Sequence, residues 1–129
     1  MNVISTRTKK NLDYAIKIAE ANDAYPKWRF GAIITKGGSL RSVGLNKLHT
    51  KASIASDEHL EDLSTHAEED ALRRCGNPKG ATIYVARVGR NGKPALAKPC
   101  EHCEPMLRNA GVKRVIYTIG PKEYGVLRL

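Results

Sequence analysis

Apolar positions recur at a helical period near the start of the chain. Leu12, Ala15, Ile16 and Ala19 fall at i, i+3, i+4 and i+7, which predicts an amphipathic helix over residues 8–22, ended by Asn22-Asp23 and Pro26. The pattern then shortens. Arg29 to Thr35 predicts a strand, Lys36-Gly37-Gly38-Ser39 a hairpin turn, and Leu40 to Asn46 the returning strand. Residues 47–63 are polar and then acidic, and read as a loop. Ala67, Ala71 and Cys75 lie at i, i+4 and i+8, predicting a second helix from about Thr65 to Cys75 that Gly76-Asn77-Pro78 stops. Thr82 to Val88 (TIYVARV) is a strand rich in β-branched residues, and Arg90 to Pro94 a turn. A third helix turns Met106, Leu107 and Ala110 inward, with Gly111 as its C′ glycine. Pro105 fits only a first helical turn, which moves the start of this helix towards Cys103. Arg114 to Thr118 and Tyr124 to Leu129 complete the strands.

The order is α-β-β-α-β-α-β-β. Its β-α-β-α-β portion implies right-handed crossovers and locally parallel strands, and its opening hairpin an antiparallel pair. The expected architecture is a mixed sheet with helices on its faces, an α/β fold. The 129 residues suit one domain over 1–129. No apolar run approaches the ~20 residues that span a bilayer, and residues 1–16 lack a signal-peptide core. A cytoplasmic protein with reduced cysteines is expected.

Charge adds a hint about ligands. Lys and Arg number 22 against 13 acids, a net +9, and seven of those acids lie between Asp57 and Asp70, where there is no Lys or Arg. The remainder is therefore more basic than its average, which suits a phosphorylated small molecule or a nucleic acid. Simple colloidal solubility explains a dispersed charge equally well.

The chemistry concentrates in two segments. His66-Ala67-Glu68 opens the second predicted helix, and Pro99-Cys100-Glu101-His102-Cys103 precedes the third. Taken singly, each has an ordinary explanation. Thr65-x-x-Glu68 is a capping box, and a lone C-x-x-C is a weak metal or redox signal. Together they match the H-x-E … P-C-x-x-C signature of zinc nucleobase deaminases. One imidazole and two thiolates suit Zn2+ with a fourth position left for water. Helix N-termini favour thiolate over thiol. Zinc lowers the pKa of bound water from ~15.7 towards ~7, and Glu68, beside the metal without ligating it, can carry the water's protons, first one to the ring nitrogen and then one to the leaving amine. His102 competes as a ligand, but its place inside the C-x-x-C points it away. His49 and His59 read as solvated loop residues, and Cys75 as a small core residue continuing the alanine face.

At these residues the sequence resembles the cytidine/deoxycytidylate deaminase superfamily. The Cys100 to Thr118 segment and the histidine of HAE look like the deoxycytidylate and tRNA-adenosine branches, and the compact length like short phage-encoded members. The resemblance implies a three-layer α/β/α fold with a mixed five-stranded sheet, His66, Cys100 and Cys103 on zinc, and Glu68 as proton shuttle. It also implies an often oligomeric assembly. Gly44-Leu45-Asn46 resembles the G-x-N whose asparagine holds the sugar, although Asn46 also serves as a residue closing its strand. Lys27-Trp28-Arg29-Phe30-Gly31-Ala32 resembles a stretch whose aromatic packs near the base, although Trp28 suits a core role as well. Ala67, within the first motif, and Lys98, just before the second, complete the expected substrate contacts. Lys47 stands where free-cytidine deaminases have valine followed by a ribose-holding glutamate, and a lysine suits a phosphate. Only about five residues join the last two strands, so these should pair antiparallel.

The leading expectation is hydrolytic deamination of cytosine in a small nucleotide, dCMP- or CMP-like to dUMP- or UMP-like plus ammonia. The alternatives are a deaminase of cytosine or adenine within RNA or single-stranded DNA, a free cytidine or deoxycytidine deaminase, and a non-catalytic zinc-binding module. The scarcity of aromatics, 5% of residues, argues against single-strand binding, which needs stacking platforms.

Overall fold

The computed structural model describes residues 5–22, 29–48 and 64–129. Trp28, His49, His59 and the acids from Asp57 to Asp62 lie outside the described residues. Helix α1 spans Thr6–Ala21, and the Ser5 hydroxyl caps it by accepting from the Thr8 N–H at 3.1 Å. Strands β1 (Arg29–Lys36) and β2 (Ser39–Leu45) form a hairpin through Gly37-Gly38. Both glycines have positive φ, 60° and 80°, the backbone that a two-residue hairpin turn demands. Short strands β3 (Lys47–Leu48) and β4 (Ser64–Thr65) pair antiparallel, where the sequence suggested a loop running into the start of the second helix. Then follow α2 (Ala67–Cys75), β5 (Thr82–Val88), β6 (Pro94–Ala95), α3 (Cys103–Ala110), β7 (Arg114–Gly120) and β8 (Glu123–Arg128).

The main sheet runs β2-β1-β5-β7-β8, the five expected strands, with two-residue β6 added beside β5 as a sixth. Only β5 and β7 are parallel neighbours; β2 runs the same way as β5 but is separated from it by β1, antiparallel to both. β7 and β8 pair antiparallel as expected, through Pro121-Lys122 alone, because both strands run further than their apolar pattern.

Alternate residues of the strands build two cores, one on each face. Leu12, Ala15 and Ala19 of α1 pack on Ile33, Tyr84, Ala86, Val88 and Ile116. Ala67 and Ala71 of α2 and Leu107 of α3 pack on Ala32, Ile34, Ile83, Val85 and Val115. The result is α1 | sheet | α2 and α3, the three-layer α/β/α fold. Because α2 and α3 cover one face and each follows the end of a strand running in the same direction, their N-termini lie at one end of the sheet. Two glycines bring helices close: a Cβ on Gly31 would stand 2.6 Å from the Ala15 carbonyl oxygen of α1, and one on Gly44 would stand 2.5 Å from the Ala71 nitrogen of α2. No helix among the described residues is long and apolar enough to cross a membrane.

Candidate active site

The second helix begins two residues later than its pattern suggested. His66, not Thr65, is the N-cap; its extended backbone (φ −72°, ψ 151°) opens the helix, its carbonyl accepts from Asp70 N–H at 3.0 Å, and its side chain makes no capping bond. The capping box is therefore not formed, and the imidazole projects away from its own helix. Around Cys100, the chain turns helically before α3 begins: Glu104 N–H reaches the Cys100 carbonyl at 3.0 Å. Cys103 is the first residue of α3 and is fully buried, whereas Cys100 is exposed. The helix does start at Cys103, as Pro105 required.

These three side chains converge. The ligand atoms of His66, Cys100 and Cys103 all lie within 4.8 Å of one another. His66 Nδ1 is 3.3 Å from Cys103 Sγ and 3.8 Å from Cys100 Sγ. Ordinary Zn–S and Zn–N bond lengths at a tetrahedral angle put nitrogen and sulfur about 3.6 Å apart, between these two distances. Burial pushes the Cys103 thiol far up, and Glu68 and Cys100 beside it push it further. A bound dication is what makes a thiolate favourable in such a place. The donor set therefore fits zinc in both chemistry and spacing. His102 is exposed and outside this group; its ring meets that of His66 edge-on, with centroids 5.9 Å apart.

Glu68 sits on the first turn of α2, 5% exposed. Burial raises its pKa above the usual carboxylate range, against the opposing pull of its own backbone N–H, of His66 and of a hydrogen bond with Cys103. A carboxyl shifted upwards beside a metal ligand set is a better proton acceptor than a solvated one.

The other anticipated contacts are placed as follows. Ala67 is buried against Gly44 at the start of α2. Asn46 is 6% exposed, and its Oδ1 accepts from the Phe30 N–H at 2.9 Å and from Asn22 Nδ2 at 2.6 Å, so it closes the β2 end onto β1 and α1. Lys47 is half-exposed, and its Nζ lies 3.3 Å from Asp70 Oδ1. Lys98 is exposed, next to buried Pro99. Asp70 was not singled out by the sequence, yet it ties this corner together. Its carboxylate accepts from the Leu45 N–H at 3.0 Å and pairs with both Lys47 and Arg74. Burial raises its pKa, but the Leu45 N–H, Arg74 and Lys47 together outweigh burial and leave it lowered. The Asp70–Arg74 spacing of four was the legible clue. Cys75 is half-buried and packs on the α2/α3 core, as expected.

Residues 5–119 match the family described as the cytidine and deoxycytidylate deaminase zinc-binding region. The chain belongs to this family. No curated protein matches the sequence closely enough to count as a relative. Solved structures agree with the family in fold. The dCMP deaminase of cyanophage S-TIM5 in complex with dCMP and dUMP is similar over 89% of this chain and 83% of its own, with 21% identity and a TM-score of 0.67. The cytidine deaminase of Burkholderia pseudomallei is similar over 97% and 93%, with 19% identity and a TM-score of 0.69. RibD of Acinetobacter baumannii is 28% identical over 86% of this chain, which covers 27% of the RibD chain (TM-score 0.60). As a member of the deaminase family, the chain is a zinc-dependent hydrolase of the cytidine/deoxycytidylate deaminase type, and His66, Cys100 and Cys103 are its metal-site candidates.

Proposed function

We propose that this deaminase removes the exocyclic amine of cytosine in a small nucleotide, turning a dCMP- or CMP-like substrate and water into the uracil nucleotide and ammonia. The observation that carries the reading is the convergence of His66 Nδ1, Cys100 Sγ and Cys103 Sγ beside the buried carboxyl of Glu68. Zinc held by those three side chains would acidify water at its open position. Glu68 takes one proton from the attacking water and delivers it to the ring nitrogen; it then takes the proton of the newly added hydroxyl and gives it to the departing amine, so the carbonyl forms as ammonia leaves. The raised pKa of Glu68 suits a group that must gain and lose a proton twice within one turnover. Asn46, held at the strand end by Phe30 and Asn22, is proposed to border the sugar, and Ala67 and Lys98 to border the ligand next to the metal residues. Trp28 keeps its proposed place near the base.

The S-TIM5 enzyme was solved with dCMP and dUMP. That complex and the basic charge of this chain support a nucleotide over a free nucleoside. The proposal includes action in the cytoplasm and self-association of the chain.

The test is a panel of CMP, dCMP, cytidine and deoxycytidine given to the zinc-loaded protein, scored by ammonia release and by the conversion of amine to carbonyl. A monophosphate should turn over fastest. Failure to convert any cytosine compound would overturn the reading. Editing of an oligonucleotide with steeply salt-dependent binding would replace it with a polymer-directed deaminase.

A further inference from the structure

One line of paired residues crosses the end of the sheet beside the metal group. Phe30 pairs with Arg87 between β1 and β5. Gly31 pairs with Leu45, which brings Asn46 opposite Phe30, and the 2.9 Å bond from the Phe30 N–H to Asn46 Oδ1 joins them. Lys47 pairs with Thr65, which brings His66 next to Asn46. The line therefore runs His66, Asn46, Phe30, Arg87. Three strand-to-strand steps put its two ends about 14 Å apart along the backbone.

Arg87 alternates with Ile83 and Val85, which belong to the core under α2 and α3, so its side chain emerges on the face that carries the metal group. Its guanidinium lies over the Phe30 ring, 5.7 Å from the centroid. Its backbone is held on the far side by the Thr118 hydroxyl, which accepts its N–H at 3.2 Å, and by pairing with Ala95 of β6.

Among the described residues this guanidinium has no anion beside it. Arg87 is half-buried, and its buried Nε has no hydrogen-bond partner. Among the described residues every ion pair goes to another cation: Asp70 to Lys47 and Arg74, Glu69 to Arg73, Glu104 to Arg108. Arg29, at the same end of the sheet, shares an unpartnered buried Nε, but its two terminal nitrogens donate to the carbonyls of Glu20 and Gly89. A partly desolvated cation without a counter-ion is disfavoured until something supplies the charge. A planar guanidinium resting on an aromatic ring matches phosphate in shape and charge. Lys47, the phosphate candidate of the sequence, is already partly neutralised by Asp70.

We infer that Arg87 is the specificity-determining residue that takes the phosphate of the nucleotide, with the base at the metal group and the sugar along Asn46 and Phe30. The inference rests on the proposed deaminase reading and adds to it the residue that separates nucleotide from nucleoside.

The experiment measures binding of dCMP and deoxycytidine by calorimetry to the zinc-loaded protein carrying Glu68→Gln, with and without Arg87→Gln or Arg87→Lys. Zinc content and melting temperature establish that each variant is folded. Arg87→Gln should shrink the affinity advantage of dCMP over deoxycytidine roughly 10- to 100-fold, the size of one or two charge-assisted hydrogen bonds, with Arg87→Lys retaining part of it. With Glu68 intact, the same loss should appear in KM far more than in kcat. An advantage for dCMP that survives Arg87→Gln overturns the inference and leaves the deaminase reading standing. If no cytosine compound binds or turns over, the deaminase reading fails. Phosphorus NMR with inorganic phosphate then decides on Arg87, since phosphate binding unchanged by Arg87→Gln, or none at all, overturns it.

Discussion

Gly44 and Ala71 approach so closely that a Cβ on the glycine would stand 2.5 Å from the Ala71 nitrogen and 2.9 Å from its Cβ. Ser42 reinforces this seam by donating its hydroxyl to the Ala71 carbonyl at 2.8 Å. Helix α2 carries His66 and Glu68 at its start, so its seat on β2 sets their position. Gly44→Ala should force the helix outward, costing about 1–3 kcal/mol as overpacking does. Zinc retention should fall together with melting temperature. A variant with unchanged zinc content and melting temperature would show that the helix position is not fixed here.

Glu68→Gln keeps the shape of the carboxyl and removes its ability to shuttle a proton. Turnover should fall by roughly 10²- to 10⁴-fold, the usual worth of a positioned acid-base group. Zinc content, measured by atomic emission, should remain as in the unaltered protein. Loss of zinc along with activity would instead make Glu68 part of the metal site.

His66→Ala and Cys103→Ala each remove one donor from the converging group. Both should lose stoichiometric zinc, and treatment of the unaltered protein with a chelator should abolish turnover until zinc is restored. His102→Ala should keep its zinc, because that ring only abuts His66 edge-on. Zinc loss in His102→Ala would point to a fourth protein ligand and a closed, structural site.

Asp70 predicts a pH dependence. Its folded pKa lies below the ordinary value of 3.8, so the stability it contributes is present above that value and is lost as pH falls through the folded one. Asp70→Asn should destabilise the protein by about 1–2 kcal/mol at neutral pH, since its partners Lys47 and Arg74 are half-exposed and screened. The difference between variant and parent should vanish in strong acid. Denaturant melts at pH 7 and below pH 3 would check this, and a gap that persists in acid would exclude the carboxylate as its source.

Much of the fold was written in local pattern. The alanine and leucine spacings, the Gly37-Gly38 turn and the β-branched run at Thr82 to Val88 depend on neighbours within a few residues, and the elements form close to where those spacings lie. The strands β3, β4 and β6 were not legible, because two-residue pairs take their stability from partners far along the chain and leave no period.

By itself, the sequence determined the chemical kinds at the site. One imidazole, two thiols three residues apart and a glutamate two residues past the histidine are read directly from the chain, with the helix starts that carry them. The tertiary structure alone decided that His66 and Cys103, 37 positions apart, meet at 3.3 Å, because that depends on α2 and α3 sharing one face of the sheet. It also decided which cations are already neutralised. Lys47 and Arg87 are both basic residues near a strand end, and only the folded chain gives Lys47 an aspartate and leaves Arg87 with an aromatic ring and no anion among the described residues. Composition fixes how many charges a chain has, whereas their pairing depends on distances of a few ångströms that only packing sets.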